Sequence, residues 1–228
     1  MIDLRPGQLD PELAPPTEGL LITAGASATL YLVCTHEARA GQHVLVEDRT
    51  YDLARQPFVD RRLVPLPIAG VGDDLDLESL ERTLEKLARQ RRPPALLYVI
   101  PTFHNPTGCV MSGPHRRKLL SLAARCGLTI VDDDVYRQLY YERPAPASLW
   151  SMSTQARVLR VGSVSKWVAP GLRVGWLTAA AETIRRYEAD GLPTQWRRAG
   201  TLRRLRRRDH ARGWRTGGTR RGHAHNAA

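Results

Sequence analysis

The sequence predicts an α/β fold of three layers, a mostly parallel sheet covered by helices on both faces. Two features point to it. Short, nearly unbroken apolar runs recur between about Gly19 and Asp190, separated by stretches with helical spacing of the apolar residues. Polar clusters stand at the ends of those runs: AGAS, EDRTY, HNPTG, DDDVY and SVSK. Strands of a parallel sheet are buried on both faces and read as continuous apolar runs. In such sheets ligands bind beyond the carboxyl ends of the strands.

In chain order, GLLITAG reads as a short strand entering a glycine turn, and SATLYLVCTHEAR as a helix with Leu30, Val33 and Cys34 on one face. HVLVED and RRLVPLPI are strands. DLESLERTLEKLARQ sets Leu77, Leu80, Leu84 and Leu87 on one side of a helix. ALLYVIP is a buried strand ending in proline, and PHRRKLLSLAARCG a helix stopped by Gly127. LTIVDDD, RVLRVGSVSK and LRVGWLTAA complete the strands.

Charge divides the chain. The formal net charge is +11, and residues 191–228 carry eleven arginines against one acid, Asp209. Residues 1–190 are nearly balanced, so the basic character belongs to the tail. A like-charged run of Gly, Arg and His without apolar periodicity cannot bury a core, and 191–228 is expected to be disordered. Trp196 and Trp214 are its only aromatics, too few for a nucleic-acid stacking platform, so specific nucleic-acid binding is not expected. No apolar run approaches the roughly 20 residues that cross a membrane. The first residues, MIDLRPGQLDPELAPP, lack the basic stretch and apolar core of a signal peptide, and a cytoplasmic location is expected. Cys34, Cys109 and Cys126 have no metal-ligand spacing, so no metal is expected.

Lysine usage carries chemistry. The chain has three lysines, Lys86, Lys118 and Lys166, against thirty-one arginines. Lys166 stands at the end of an apolar strand in GSVSK. An aldehyde cofactor with a phosphate and a pyridine ring needs an amine for a Schiff base, and a guanidinium cannot supply one. It also needs an acid at the ring nitrogen, donors at the ring hydroxyl, an aromatic face and a phosphate cradle. Candidates for each stand at strand ends.

Four segments, YVIPTFHNPTG, VDDDVY, GSVSK and PGLRVGW, resemble in order and spacing the motifs of fold-type I, pyridoxal-phosphate-dependent aminotransferases of class I/II. The likeness covers roughly residues 19–190, and is nearest to 2-aminoadipate aminotransferases and the aminotransferase-like domains of MocR-type regulators. It implies that 19–190 is the cofactor-binding large domain of a three-layer αβα fold, with 1–18 the remnant of an N-terminal arm. By position it implies that Lys166 forms the Schiff base with pyridoxal 5'-phosphate and moves the α-proton. Asp133, three residues before Tyr136, pairs with the pyridine nitrogen. Tyr136 and Asn105 donate to the ring hydroxyl, and Tyr51 stacks on the ring. Ala26 and Ser27, where a glycine turn opens a helix, bind the phosphate with Ser163, Ser165 and Arg173. The implied activity is transfer of an amino group between an amino acid and a 2-oxo acid.

The sequence also departs from the family. The segment that reaches across the family's dimer is nearly absent, and after Asp190 the small domain, with the arginine for the substrate carboxylate, is replaced by the basic tail. No tail residue is assigned that role. The tail is expected to be a shifted reading frame or a truncation, turnover is expected to be impaired, and the family's homodimer is in doubt for this chain. A competing reading is the effector-binding domain of a MocR-type regulator. It ranks lower because no winged helix-turn-helix precedes the large domain.

Overall fold

The computed structural model describes residues 19–71 and 74–189. The expected arm, 1–18, and the tail, 191–228, lie outside the described residues.

The chain begins with β1 (Leu20–Thr23) and α1 (Ala26–Glu37), then β2 (His43–Glu47), α2 (Arg55–Asp60) and β3 (Val64–Ile68). A two-stranded hairpin follows, β4 (Gly70–Val71) with β5 (Asp74–Leu75), then α3 (Leu77–Arg89) and β6 (Leu96–Val99). The remainder is α4 (Gly113–Cys126), β7 (Ile130–Asp133), α5 (Leu149–Met152), β8 (Val158–Ser163), β9 (Gly175–Thr178) and α6 (Ala181–Ala189). Seven strands form one sheet in the order β1-β9-β8-β7-β6-β2-β3. The run β3-β2-β6-β7-β8 is parallel, and β9 alone pairs antiparallel, with both β8 and β1.

Side-chain alternation divides the core into two layers. Val44, Val46, Leu96, Tyr98 and Val131 face one side, where they pack with Leu30 and Val33 of α1 and Phe58 of α2. Leu45, Leu97, Val99 and Ile130 face the other, against Leu80, Leu84 and Leu87 of α3 and Leu119 and Leu122 of α4. That is the three-layer arrangement read from the sequence. Leu77, expected on the buried face of α3, is only half-buried at the helix's first turn.

Helix ends follow local chemistry. The Asp76 carboxylate accepts from the Glu78 and Ser79 amides and starts α3. Ser112 accepts from the His115 amide and starts α4, which Gly127 ends in the left-handed conformation at φ 62°. Short elements with little periodicity, α2, α5 and the β4–β5 hairpin, were not legible in the sequence.

Candidate functional site

A cavity of about 270 Å³ opens at the carboxyl ends of β7 and β8, beside the start of α1. Its wall includes nine of the ten residues singled out in the sequence: Ala26, Ser27, Tyr51, Asp133, Tyr136, Ser163, Ser165, Lys166 and Arg173. The tenth, Asn105, is one bond away, its Nδ2 donating to the Tyr136 hydroxyl at 3.1 Å. Apolar wall comes from Leu30, Leu53, Ala54, Pro57, Ile100 and Val135.

The floor is made by Asp133, the last residue of β7 and 8% exposed. Its Oδ2 accepts from the Tyr98 hydroxyl at 2.5 Å, while Oδ1 is buried and makes no hydrogen bond. Burial pushes the Asp133 carboxyl up to about 6. The Tyr98 hydrogen bond, the Val135 amide and the Lys166 charge act against burial, and the Asp134 charge acts with it. The neighbouring acids are engaged elsewhere. Asp134 accepts from Arg137 and Arg160, and Asp132 from the Trp150 amide. Of the three consecutive aspartates, only Asp133 belongs to the cavity wall.

Lys166 follows β8 in a turn, with its Nζ 5.4 Å from the centre of the Tyr136 ring. Ser163 and Ser165 are bonded to each other through their hydroxyls at 2.9 Å, and the Ser165 amide donates to Ser163 Oγ at 3.1 Å. On the facing side α1 begins after Gly25 without a side-chain cap, so its first-turn amides remain as donors. Arg173 has a left-handed backbone, φ 48°, and its guanidinium reaches Ala24 O at 3.4 Å. A helix start without a side-chain cap, two hydroxyls and a guanidinium thus line one cavity, donor types that suit a phosphate.

The Asn105 loop is fixed from below by residues that sequence reasoning missed. The Met111 amide closes the loop on Pro101 O at 2.9 Å. Arg116, fully buried in α4, donates to Pro101 O, Met111 O, Thr102 Oγ1 and Ala147 O. Glu47 Oε2 accepts from the Ile100 amide at 2.9 Å and lies 3.2 Å from His104 Nε2, next to Asn105. Tyr98, the first residue of YVIPTFHNPTG, is another such residue. The available signal was a lone hydroxyl in an otherwise apolar strand, LLYV. Among the described residues, no cluster of His, Cys, Asp or Glu can hold a metal, and no helix is long and apolar enough to cross a membrane.

Comparison with known proteins gives this arrangement its class. The family described as Aminotransferase class I and II matches residues 10–194. The chain belongs to that family, whose cofactor is pyridoxal phosphate. It is 33% identical over 171 residues to aromatic-amino-acid aminotransferase 1 of Thermococcus litoralis, covering 74% of this chain and 40% of that protein. It is 34% identical over 194 residues to the uncharacterized HTH-type transcriptional regulator YisV of Bacillus subtilis, covering 80% of this chain and 38% of the regulator. Among solved structures, it superposes on the α-aminoadipate aminotransferase LysN of Thermus thermophilus, complexed with N-(5'-phosphopyridoxyl)-L-leucine, with a TM-score of 0.68 and 31% identity. That superposition covers 85% of this chain and 50% of LysN. The chain spans about two-fifths of the length of the two curated relatives.

Proposed function

We propose that the cavity binds pyridoxal phosphate and that the protein transfers amino groups between an amino acid and a 2-oxo acid. One observation carries the reading. Asp133, whose buried Oδ1 has no hydrogen-bond partner, lines the same cavity as Lys166 and the donors suited to a phosphate. A buried acceptor left empty is costly, and a protonated ring nitrogen would satisfy it. The residues present therefore fit the cofactor.

When bound, the cofactor supplies an aldehyde carbon that accepts amines and a pyridine ring that takes up electron density. Asp133 holds the ring-nitrogen proton. Lys166 would offer the amine for that aldehyde, and its amine in the free form would move the proton at the substrate α-carbon. Asn105 donates to the Tyr136 oxygen, so the Tyr136 O–H would remain available to donate to the ring hydroxyl. Tyr51 would cover a ring face. Arg173, Ser163, Ser165 and the start of α1 would hold the phosphate.

Titration with pyridoxal phosphate tests this reading. A saturable visible absorbance band is expected, and borohydride reduction should fix one phosphopyridoxyl group on Lys166, read by peptide mass spectrometry. Lys166→Ala should lose both signals. Because the chain has only three lysines, labelling confined to Lys86 or Lys118 would count against the site.

The likeness to YisV supports a second reading, in which the same cofactor site senses a ligand within a transcriptional regulator. Both readings share the cofactor, so turnover separates them. Sustained conversion of an amino acid to its 2-oxo acid favours the enzyme. Ligand binding without conversion favours the sensor.

A further inference from the structure

Tyr98 brings a hydroxyl into β6, a strand buried at every position. The side chain is 0% exposed, so its O–H must find a protein partner. That partner is Asp133 Oδ2 at 2.5 Å. The parallel register explains the reach. Tyr98 stands opposite Val131, so its side chain rises on the face shared by Val131 and Asp133 and extends one residue pair toward the strand ends. The ring is held edge-on against Phe58, centroids 5.8 Å apart, which keeps the hydroxyl from swinging away.

The two carboxylate oxygens of Asp133 are thereby given different tasks. Oδ2 is occupied from beneath, and Oδ1 is left without a hydrogen bond in a residue that lines the cavity. We propose that Tyr98 is a positioning residue, its hydroxyl holding Asp133 by Oδ2 so that Oδ1 is presented to a protonated ring nitrogen. The proposal rests on the reading above, that the cavity takes a pyridine-ring cofactor.

Two physical effects follow from one hydrogen bond. It fixes the rotation of the carboxylate, and it stabilises the ionised form, in which both oxygens are acceptors only. The groups facing Asp133 are Tyr98, the Val135 amide, Asp134 and Lys166. Tyr98 in turn is surrounded by Asp133, Glu47 and Tyr136, and burial together with those groups holds its hydroxyl well above the usual tyrosine range. Tyr98 therefore stays protonated and remains a donor. Removing the hydroxyl makes Asp133 easier to protonate, and a protonated carboxyl no longer offers a charge to a ring N–H⁺.

The test uses Tyr98→Phe, which keeps the ring in its packing, and two ligands: pyridoxal phosphate and its 1-deaza analogue, which has C–H in place of the ring nitrogen. Tyr98→Phe is expected to weaken pyridoxal phosphate roughly ten-fold and to leave the deaza analogue unchanged. In an Asp133→Asn background the same substitution should add nothing. In the cofactor-free protein, the Asp133 carboxyl followed by carbon NMR should titrate at higher pH in the variant. Equal losses for both ligands, no loss for either, or an unmoved carboxyl titration each overturn the proposal. Failure of the wild-type protein to bind either ligand is a different result. It overturns the cofactor reading, and this inference with it.

Discussion

The guanidinium of Arg173 lies against the bare Cα of Gly25, so that a β-carbon built there would stand 3.0 Å from Arg173 Nη2. The two residues are 148 positions apart in sequence, and their contact joins the start of α1 to the turn before β9. Gly25 also has φ 98°, a conformation that favours glycine.

Gly25→Ala should therefore strain the turn and displace the arginine. Arg173→Ala should remove the guanidinium outright. Each is expected to weaken pyridoxal phosphate roughly ten-fold or more, the scale of a charge-assisted hydrogen bond. Pyridoxal, which has no phosphate, should bind both variants like the wild type. A matching loss for pyridoxal would place the effect elsewhere than in the cradle.

The raised titration of Asp133 predicts a pH dependence of stability in the cofactor-free protein. Its carboxyl moves from an ordinary 3.8 to about 6 on folding. Between those values the folded state binds more proton than the unfolded state, so stability falls as pH rises. The loss from this residue is on the order of 3 kcal/mol, complete above about pH 6. Asp133→Asn removes it. Denaturant unfolding should find the variant more stable than the wild type at pH 7.5 and equal to it near pH 4. Equal stability at both pH values would refute the assignment.

Glu37 at the end of α1 ties the last described helix to the domain. It accepts from Arg157, from Arg186 at 2.5 Å and from the Tyr187 hydroxyl at 2.6 Å. The Arg157, Tyr187 and Arg186 contacts outweigh burial and hold its carboxyl below the ordinary range. Glu37→Gln should cost roughly 1–3 kcal/mol, seen as a lower thermal midpoint, with faster amide exchange in α6. Because the folded-state value is depressed, this stabilisation is present at neutral pH and is lost as pH falls below the ordinary carboxylate range. Unchanged exchange in α6 would argue against the tie.

Gly162 in β8 has no room for a side chain. A β-carbon there would stand 2.2 Å from the Trp176 indole of the neighbouring strand. Gly162→Ala should destabilise by roughly 1–3 kcal/mol through overpacking. Shortening the partner, Trp176→Leu, should recover part of the loss, with both effects read as denaturant midpoints. An additive double variant would mean that the two residues do not collide.

Most of the candidate site could be read along the chain, because its residues sit on short continuous segments. GSVSK carries Lys166, Ser163 and Ser165, and VDDDVY carries Asp133 and Tyr136. The apolar runs determined the strands, and the two-sided burial of Val44 to Val46 or Leu96 to Val99 determined the layers. Residue types alone named the amine, the acid and the guanidinium. Contacts between distant segments were decided only by folding. Tyr98 meets Asp133 because β6 pairs with β7 in one register, and a shift by one residue would turn the hydroxyl to the opposite face. Arg116 clamps a loop it follows, and Glu47 reaches His104 from another strand. Sequence pattern reports which residues face the core. Which of them meet depends on strand order and register, and those are set by the packing of the whole domain.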